Sequence, residues 1–232
     1  VGLGIASYEW LAAIILMIVG KYFLPIFLKH GIYTMPQYLE KRYNHNVRLV
    51  LAVFWIGVYI FVNLTSVLWL GSLAINTVAD VDITYGMMFL GAFAAAYSLY
   101  GGLKAVAFTD IIQVVLLVIG GFYLSYMTLD MIGDGDGVVT GFKMLTAAAE
   151  KFDMILSADN PFYKDLPGIT ALVGAVWVLH FAYWGFNQYI IQRALAAKSI
   201  EEAQKGIAFA AVLKLIMPII VVLPGIAAFV LF

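Results

Sequence analysis

Glu9 in Ala6-Ser7-Tyr8-Glu9-Trp10, Asp110 in Phe108-Thr109-Asp110-Ile111-Ile112-Gln113, and Lys214 between Leu213 and Leu215 are ionisable side chains inside otherwise apolar runs. A charge near the centre of a bilayer costs at least ~2.5 kcal/mol on insertion scales, so each needs a partner or a task. Two readings are open for each. Glu9 is an interfacial glutamate at a helix end or an acceptor for a polar solute. Asp110 is a first-turn carboxylate favoured by the helix dipole, or, with Gln113 three residues on and Thr109 beside it, part of a polar track for a cation. Lys214 snorkels to the interface along its apolar stem or faces a packed interior. A lone histidine on an apolar helix is commonly a packing residue, but Tyr183 and Trp184 follow His180 at three and four residues, so the three share one face. No nucleophile and base stand at workable spacing and no phosphate-binding loop is present, which argues against an enzyme.

The elements that must carry these residues are membrane helices. Of 232 residues, 64% are hydrophobic and 12% charged, against roughly half and a quarter in a soluble domain. At roughly 20 residues per crossing, six apolar segments are expected, at about 3–28, 48–78, 84–100, 105–129, 167–192 and 206–232. The fold class expected is all-α and integral to the membrane, a single transmembrane domain over 1–232. The chain is expected to be an internal piece of a longer protein, because it starts at Val1 and stops at Phe232 within an apolar run. The first helix has neither the basic flank nor the cleavage pattern of a secretory signal. The absence of cysteine excludes disulfides and thiolate metal sites.

Loop charge predicts orientation. Lys29, Lys41, Arg42 and Arg48 against Glu40 place loop 29–48 in the cytoplasm by the positive-inside rule. Loop 130–166 then falls outside, with Asp130, Asp134, Asp136, Glu150, Asp153, Asp159 and Asp165 and a short amphipathic helix near 141–152. Asp134-Gly135-Asp136-Gly137 lacks the spaced carboxylates and terminal glutamate of a calcium loop and reads as a solvated turn. Tyrosines such as Tyr22, Tyr33, Tyr97 and Tyr123 fit belts at headgroup depth. In the fifth segment, Gly174, Gly185 and Asn187-Gln188 interrupt apolar sequence, as do the broken helices that line transporter sites, and Gly185 is the expected interruption.

These residues resemble the sodium/solute symporters, within them the sodium/glucose (galactose) cotransporter branch and its bacterial members. The similarity runs along the whole chain and is strongest at Gly4-Ile5-Ala6-Ser7-Tyr8-Glu9-Trp10, Gly20-Lys21-Tyr22-Phe23-Leu24-Pro25, Phe61-Val62-Asn63-Leu64-Thr65-Ser66-Val67, Tyr97-Ser98-Leu99-Tyr100-Gly101-Gly102-Leu103, Tyr183 through Arg193, and Lys214 with Pro218 and Pro224-Gly225. The resemblance implies part of a five-plus-five inverted-repeat core and, as function, sodium-coupled import of a monosaccharide by alternating access across a bacterial inner membrane. It implies that Glu9 and Lys214 hydrogen-bond the sugar from opposite sides. By the same resemblance Tyr183 lies against the ring and blocks the inward path, Trp184 backs it, Tyr8 closes the outer side and Asp110 lies on the inner sodium route. The sodium ligands are implied on helices outside these residues. His180 departs from the small polar residue the branch commonly carries there, which points to a shifted hydroxyl preference or another polyol. Two alternatives stand beside the sugar: a symporter of a polyol or carboxylate, and a symporter-like domain that senses solute for a signalling protein. A pore fits less well, because bulky aromatics at the constriction suit occlusion. The partners implied are the sugar, sodium and the lipid bilayer, with no nucleic acid; oligomeric state is not specified by these residues.

Overall fold

The computed structural model describes residues 2–147, 151–166 and 168–231, and the described residues form helices joined by turns, with no strand among them. In chain order these are α1 (Gly4–Lys29), α2 (Met35–Arg42), α3 (His45–Ala79), α4 (Ile83–Ile132), α5 (Val138–Thr146), α6 (Ile169–Val173), α7 (Ala175–Phe186), α8 (Gln188–Leu195) and α9 (Ile200–Leu231). Four of them, α1, α3, α4 and α9, are long and apolar enough to cross a bilayer. The all-α membrane fold expected from composition is the one observed. Glu150, one of the acidic residues of loop 130–166, lies outside the described residues, as do 148–149 of the expected amphipathic helix.

Several boundaries differ from the apolar segments, for local reasons. α3 starts at His45 because the Asn44 side chain accepts from the Val47 N–H at 3.0 Å. α9 starts at Ile200 because Ser199 accepts from the Glu202 N–H at 3.2 Å. Hydropathy marks where a helix enters hydrocarbon, whereas a side-chain cap marks where its first N–H groups are satisfied. α2 escaped the apolar reading altogether and is set by a capping box between Thr34 and Gln37. The third and fourth segments are the two helical runs of α4, which meet as expected at a kink at Gly102 with φ 53 and ψ −152, a backbone state that a side chain would strain. The fifth segment is not one helix: the chain leaves helical geometry at Gly174 (φ −110, ψ −93) and becomes extended at Asn187 (φ −78, ψ 114). Asp134 (φ 52), Gly135 (φ 85) and Gly137 (φ 91) form a left-handed turn between α4 and α5.

The chain divides into two compact units, Val1–Tyr33 with Val114–Phe232, and Thr34–Gln113. In the first, α1 and α9 pack along one another, and small residues are what permits it. Ala6, Glu9, Ala13, Leu16 and Gly20 fall on one stripe of α1, and Ala203, Ile207, Ala211 and Lys214 on one stripe of α9, at the three-and-four spacing of a helix face. A Cβ on Gly20 would lie 2.9 Å from Ile207 Cγ2, the close approach that glycine and alanine provide between membrane helices. In the second unit, Ser72 on α3 donates to the Ile83 carbonyl at 2.5 Å and ties the end of α3 to α4.

α1, α3, α7 and α9 each contain a π-turn, at Val19–Phe23, Tyr59–Leu64, Ala182–Phe186 and Pro218–Val222. Such turns shift the hydrogen-bond register and leave carbonyls to be satisfied from elsewhere. Gln204 donates to the Gly20 carbonyl at 3.0 Å, Ser125 to Ile219 at 2.9 Å and Thr65 to Ile60 at 3.3 Å. Pro218 and Pro224 supply no N–H, which is why α9 loosens where it does.

Candidate functional site

Within the first unit, α1, α7 and α9 enclose a cavity of about 380 Å³ lined by Glu9, Ala12, Leu179, His180, Tyr183, Trp184 and Lys214. That volume falls in the roughly 300–1,000 Å³ range of small-molecule sites. The α1–α9 packing brings the two charges together: Lys214 Nζ donates to Glu9 Oε2 at 2.5 Å. Lys214 therefore does not snorkel away, and Glu9 is not an isolated interfacial carboxylate. Both side chains are only part-buried, 22% and 35% exposed, so solvent moderates their attraction. Trp10, next to Glu9, donates its indole N–H to the Leu215 carbonyl at 3.2 Å, just ahead of the π-turn of α9. That bond pins the register that sets Glu9 opposite Lys214.

α7 supplies the third wall. Phe23 and Phe27 of α1 hold it by rings: Phe23 lies 5.8 Å from Phe181 and 5.7 Å from Phe186, and Phe27 6.0 Å from Phe186. Tyr183 and Trp184 sit in the π-turn, ring to ring at 5.0 Å and 86°. Lys214 Nζ lies 5.0 Å from the Trp184 ring, a cation–π contact worth about 0.5–2 kcal/mol. Gly185, expected as the interruption, stays within the π-turn; the break comes at Asn187, whose buried side chain accepts from the Tyr189 N–H at 3.1 Å and starts α8.

Two of the residues lining this cavity carry a buried nitrogen with no hydrogen-bond partner among the described residues: His180 Nε2 and Trp184 Nε1. A buried polar group left unpaired costs about 1–3 kcal/mol. The His180 ring otherwise lies against the Tyr8 backbone. His180, Tyr183, Trp184, Glu9 and Lys214 are thus brought together. Tyr8 does not line the cavity; it is half-buried, and its side chain lies toward Tyr163. Asp110 belongs to the second unit, half-buried on α4 with Thr109, whose hydroxyl donates to the Val106 carbonyl at 2.8 Å, while Gln113 is exposed.

Trp184 also borders a second, mostly apolar cavity of about 450 Å³, lined among others by Leu16, Ile191, Arg193, Glu202 and Ile207. One indole therefore separates two spaces. Sequence reasoning missed Ala12 as a wall residue and Trp10 and Gln204 as the side chains that hold the walls. For Ala12 a signal existed, since it lies three residues after Glu9; for Trp10 and Gln204 there was none, because their partners are backbone carbonyls distant in sequence.

A model of the sodium:solute symporter family matches residues 1–232. The chain is 60% identical over its whole length to a protein named sodium/glucose cotransporter from Vibrio parahaemolyticus, covering 43% of that relative. It is 28% identical to sodium/glucose cotransporter 1 of Ovis aries, over 100% of this chain and 37% of the relative. With sodium/myo-inositol cotransporter 2 of Mus musculus it shares 31%, over 100% of this chain and 36% of the relative. The chain spans less than half the length of the relatives it matches.

Proposed function

This chain belongs to the sodium:solute symporter family, and on that premise we propose that the full-length protein imports a neutral polyhydroxylated solute, a hexose such as glucose or galactose, coupled to downhill sodium entry. The observation that carries the reading is the cavity in which Glu9, Lys214, His180 and Trp184 offer polar groups between aromatic walls. Glu9 accepts from solute hydroxyls and Lys214 donates to them. These two satisfy one another, so a hydroxyl that donates to Glu9 and accepts from Lys214 replaces their bond without leaving a charge unpaired. An anionic solute would pair with Lys214 and strand Glu9, which disfavours a carboxylate cargo. Tyr183, about half exposed, is the face of the site that swings for inward release.

Coupling follows if sodium and solute each bind the outward-open and inward-open states with different affinity. Sodium ligands belong to segments outside these 232 residues, and Asp110 lies on the inner sodium route. The protein resides in the cell membrane, with loop 29–48 cytoplasmic and loop 130–166 external. The test is uptake of radiolabelled glucose and galactose by full-length protein in liposomes, with and without an inward sodium gradient. Sodium-driven accumulation competed by hexoses supports the reading. Uptake of no hexose, with sodium-dependent binding of myo-inositol instead, moves the cargo to a polyol, and transport of neither overturns it.

A further inference from the structure

Lys21 is a cation on a membrane-spanning helix that the solute site does not use. It stands in the π-turn of α1, eight residues before the helix ends at Lys29, about 12 Å along the axis. Other lysines of the first unit are met by carboxylates: Lys214 by Glu9, and Lys205 by Glu201 at 2.8 Å and Glu202 at 3.5 Å. Among the described residues no ion pair holds Lys21. Its ammonium lies 5.3 Å from the ring of Tyr22, an exposed tyrosine of the kind that sits at headgroup depth. Beside Lys21 runs a groove of about 230 Å³ between α1 and α9, lined by Met17, Gly20 and Lys21 on one helix and Gln204, Ile207 and Ala208 on the other. The groove exists because Gly20 has no side chain and Ala208 only a methyl. Where α1 finishes and α9 starts, Lys29, Arg193, Lys198 and Lys205 outnumber Glu201 and Glu202, an excess of positive charge that favours an anionic membrane surface.

We propose that Lys21 and the α1–α9 groove form a site for one phospholipid of net negative charge. Its phosphate pairs with the Lys21 ammonium, and the first methylenes of one acyl chain lie along Gly20, Ile207 and Ala208. A lysine on a spanning helix reaches headgroup depth by extending its apolar stem, and a phosphate there supplies the counter-charge that α1 and α9 do not. The apolar slot beside the charge is what a bare surface lysine lacks, and basic pockets between membrane helices hold lipid headgroups in this way. None of these residues lines the cavity of Glu9 and Lys214, so the assignment does not depend on which solute is carried.

The experiment titrates full-length protein in mild detergent with dioleoyl phosphatidylglycerol or dioleoyl phosphatidylcholine and counts bound lipids by native mass spectrometry. Wild type should bind phosphatidylglycerol more tightly at one site. Lys21→Gln should lower that affinity about fivefold, the scale of one cation at a charged surface, and leave phosphatidylcholine unchanged. Ala208→Leu fills the groove, keeps every charge and should weaken both lipids. Lys205→Gln, whose lysine already has carboxylate partners, should change neither by more than about twofold. Equal binding of the two lipids by wild type, no loss in Lys21→Gln, or an equal loss in Lys205→Gln overturns the site, the last in favour of diffuse surface charge. No loss in Ala208→Leu overturns the place given to the acyl chain and with it the groove. Inorganic phosphate that displaces phosphatidylglycerol at equal concentration overturns the lipid assignment in favour of a simple anion. If Ala208→Leu does not yield monodisperse protein, Lys21→Gln and the phosphate competition decide by the same criteria.

Discussion

Helices α1 and α3 look alike in sequence: both are long and apolar, both carry a π-turn near the middle, and both have a polar residue in their apolar stretch, Glu9 in α1 and Asn63 in α3. In the structure they differ completely, for 44% of the apolar window of α1 is buried and 0% of that of α3. Residue size along one face is one contributor, beside the fact that this chain spans less than half the length of its relatives. α1 presents Ala6, Ala13 and Gly20 to a partner, whereas α3 displays Val50, Phe54, Phe61, Val67 and Leu70, all exposed. Between apolar faces in a membrane there is no hydrophobic driving force, and close van der Waals packing of small residues holds helices together instead. What needs enclosure in a membrane is polarity, and the polar groups with unmet bonds lie where α1 meets α7 and α9. Composition identifies the solvent of a helix; side-chain size decides which helix faces build a site.

The comparison breaks first at Glu9. Glu9→Ala in the full-length protein should lower solute affinity at least tenfold, since it removes an acceptor and frees Lys214 of its partner, while sodium affinity changes far less. Parallel titrations of solute and sodium binding check this, and equal loss of both would remove Glu9 from the solute site. A glycine pair sharpens the contrast in packing. Gly20→Ala pushes a methyl to within 2.9 Å of Ile207 Cγ2 and should cost about 1–3 kcal/mol, lowering Tm in detergent. Gly57→Ala on α3 meets nothing within 4 Å and should be neutral or stabilising by up to about 1 kcal/mol. A large loss at Gly57 as well would mean that α3 is packed against further protein in the complete transporter.

Smaller effects separate the two units further. Gln204→Leu strands the Gly20 carbonyl beside the π-turn of α1 and should lower stability by about 0.5–1.5 kcal/mol, read as a shift in Tm without a change in which solutes compete. In the second unit, hydrogen bonds from His45 and then Arg48 hold the Glu40 carboxyl below its ordinary range. A carboxyl whose folded value is lowered binds fewer protons folded than unfolded. Its contribution is complete above the ordinary carboxylate value and is lost as pH falls through the lowered one. Thermal stability of wild type and Glu40→Gln should therefore differ slightly at neutral pH and converge as the solution is acidified. Because this carboxylate is exposed and screened, the convergence is the smallest effect of the four.

Much of the site was legible without coordinates because membrane insertion makes polarity conspicuous. Glu9, Lys214 and the His180, Tyr183, Trp184 face stood out against hydrocarbon, and these five line one cavity. The long apolar helices were legible for the same reason. What was not legible follows from interactions that leave no periodic trace. The fifth segment breaks at Gly174 and again at Asn187, where a side chain caps a new helix, and not at Gly185, because a π-turn absorbs the glycine while an amide acceptor restarts the chain. α2 is too polar for hydropathy to find, and only its capping box defines it. Tyr8 stands next to Glu9 in sequence yet turns off the cavity, since neighbours on a helix point about 100° apart.

By itself the amino-acid sequence determined that this chain lies in a membrane, that it is helical, and which polar residues demand a reason for being there, because the cost of burying charge in hydrocarbon depends on residue type and position along a helix alone. Tertiary structure decided the pairings: that Lys214 satisfies Glu9 across 2.5 Å, that Trp10 and Gln204 take carbonyls released around π-turns, and that His180 Nε2 and Trp184 Nε1 find no partner among the described residues. Those outcomes turn on the distance between helices and the rotation of each about its axis. Small residues set both only when the opposing face is present.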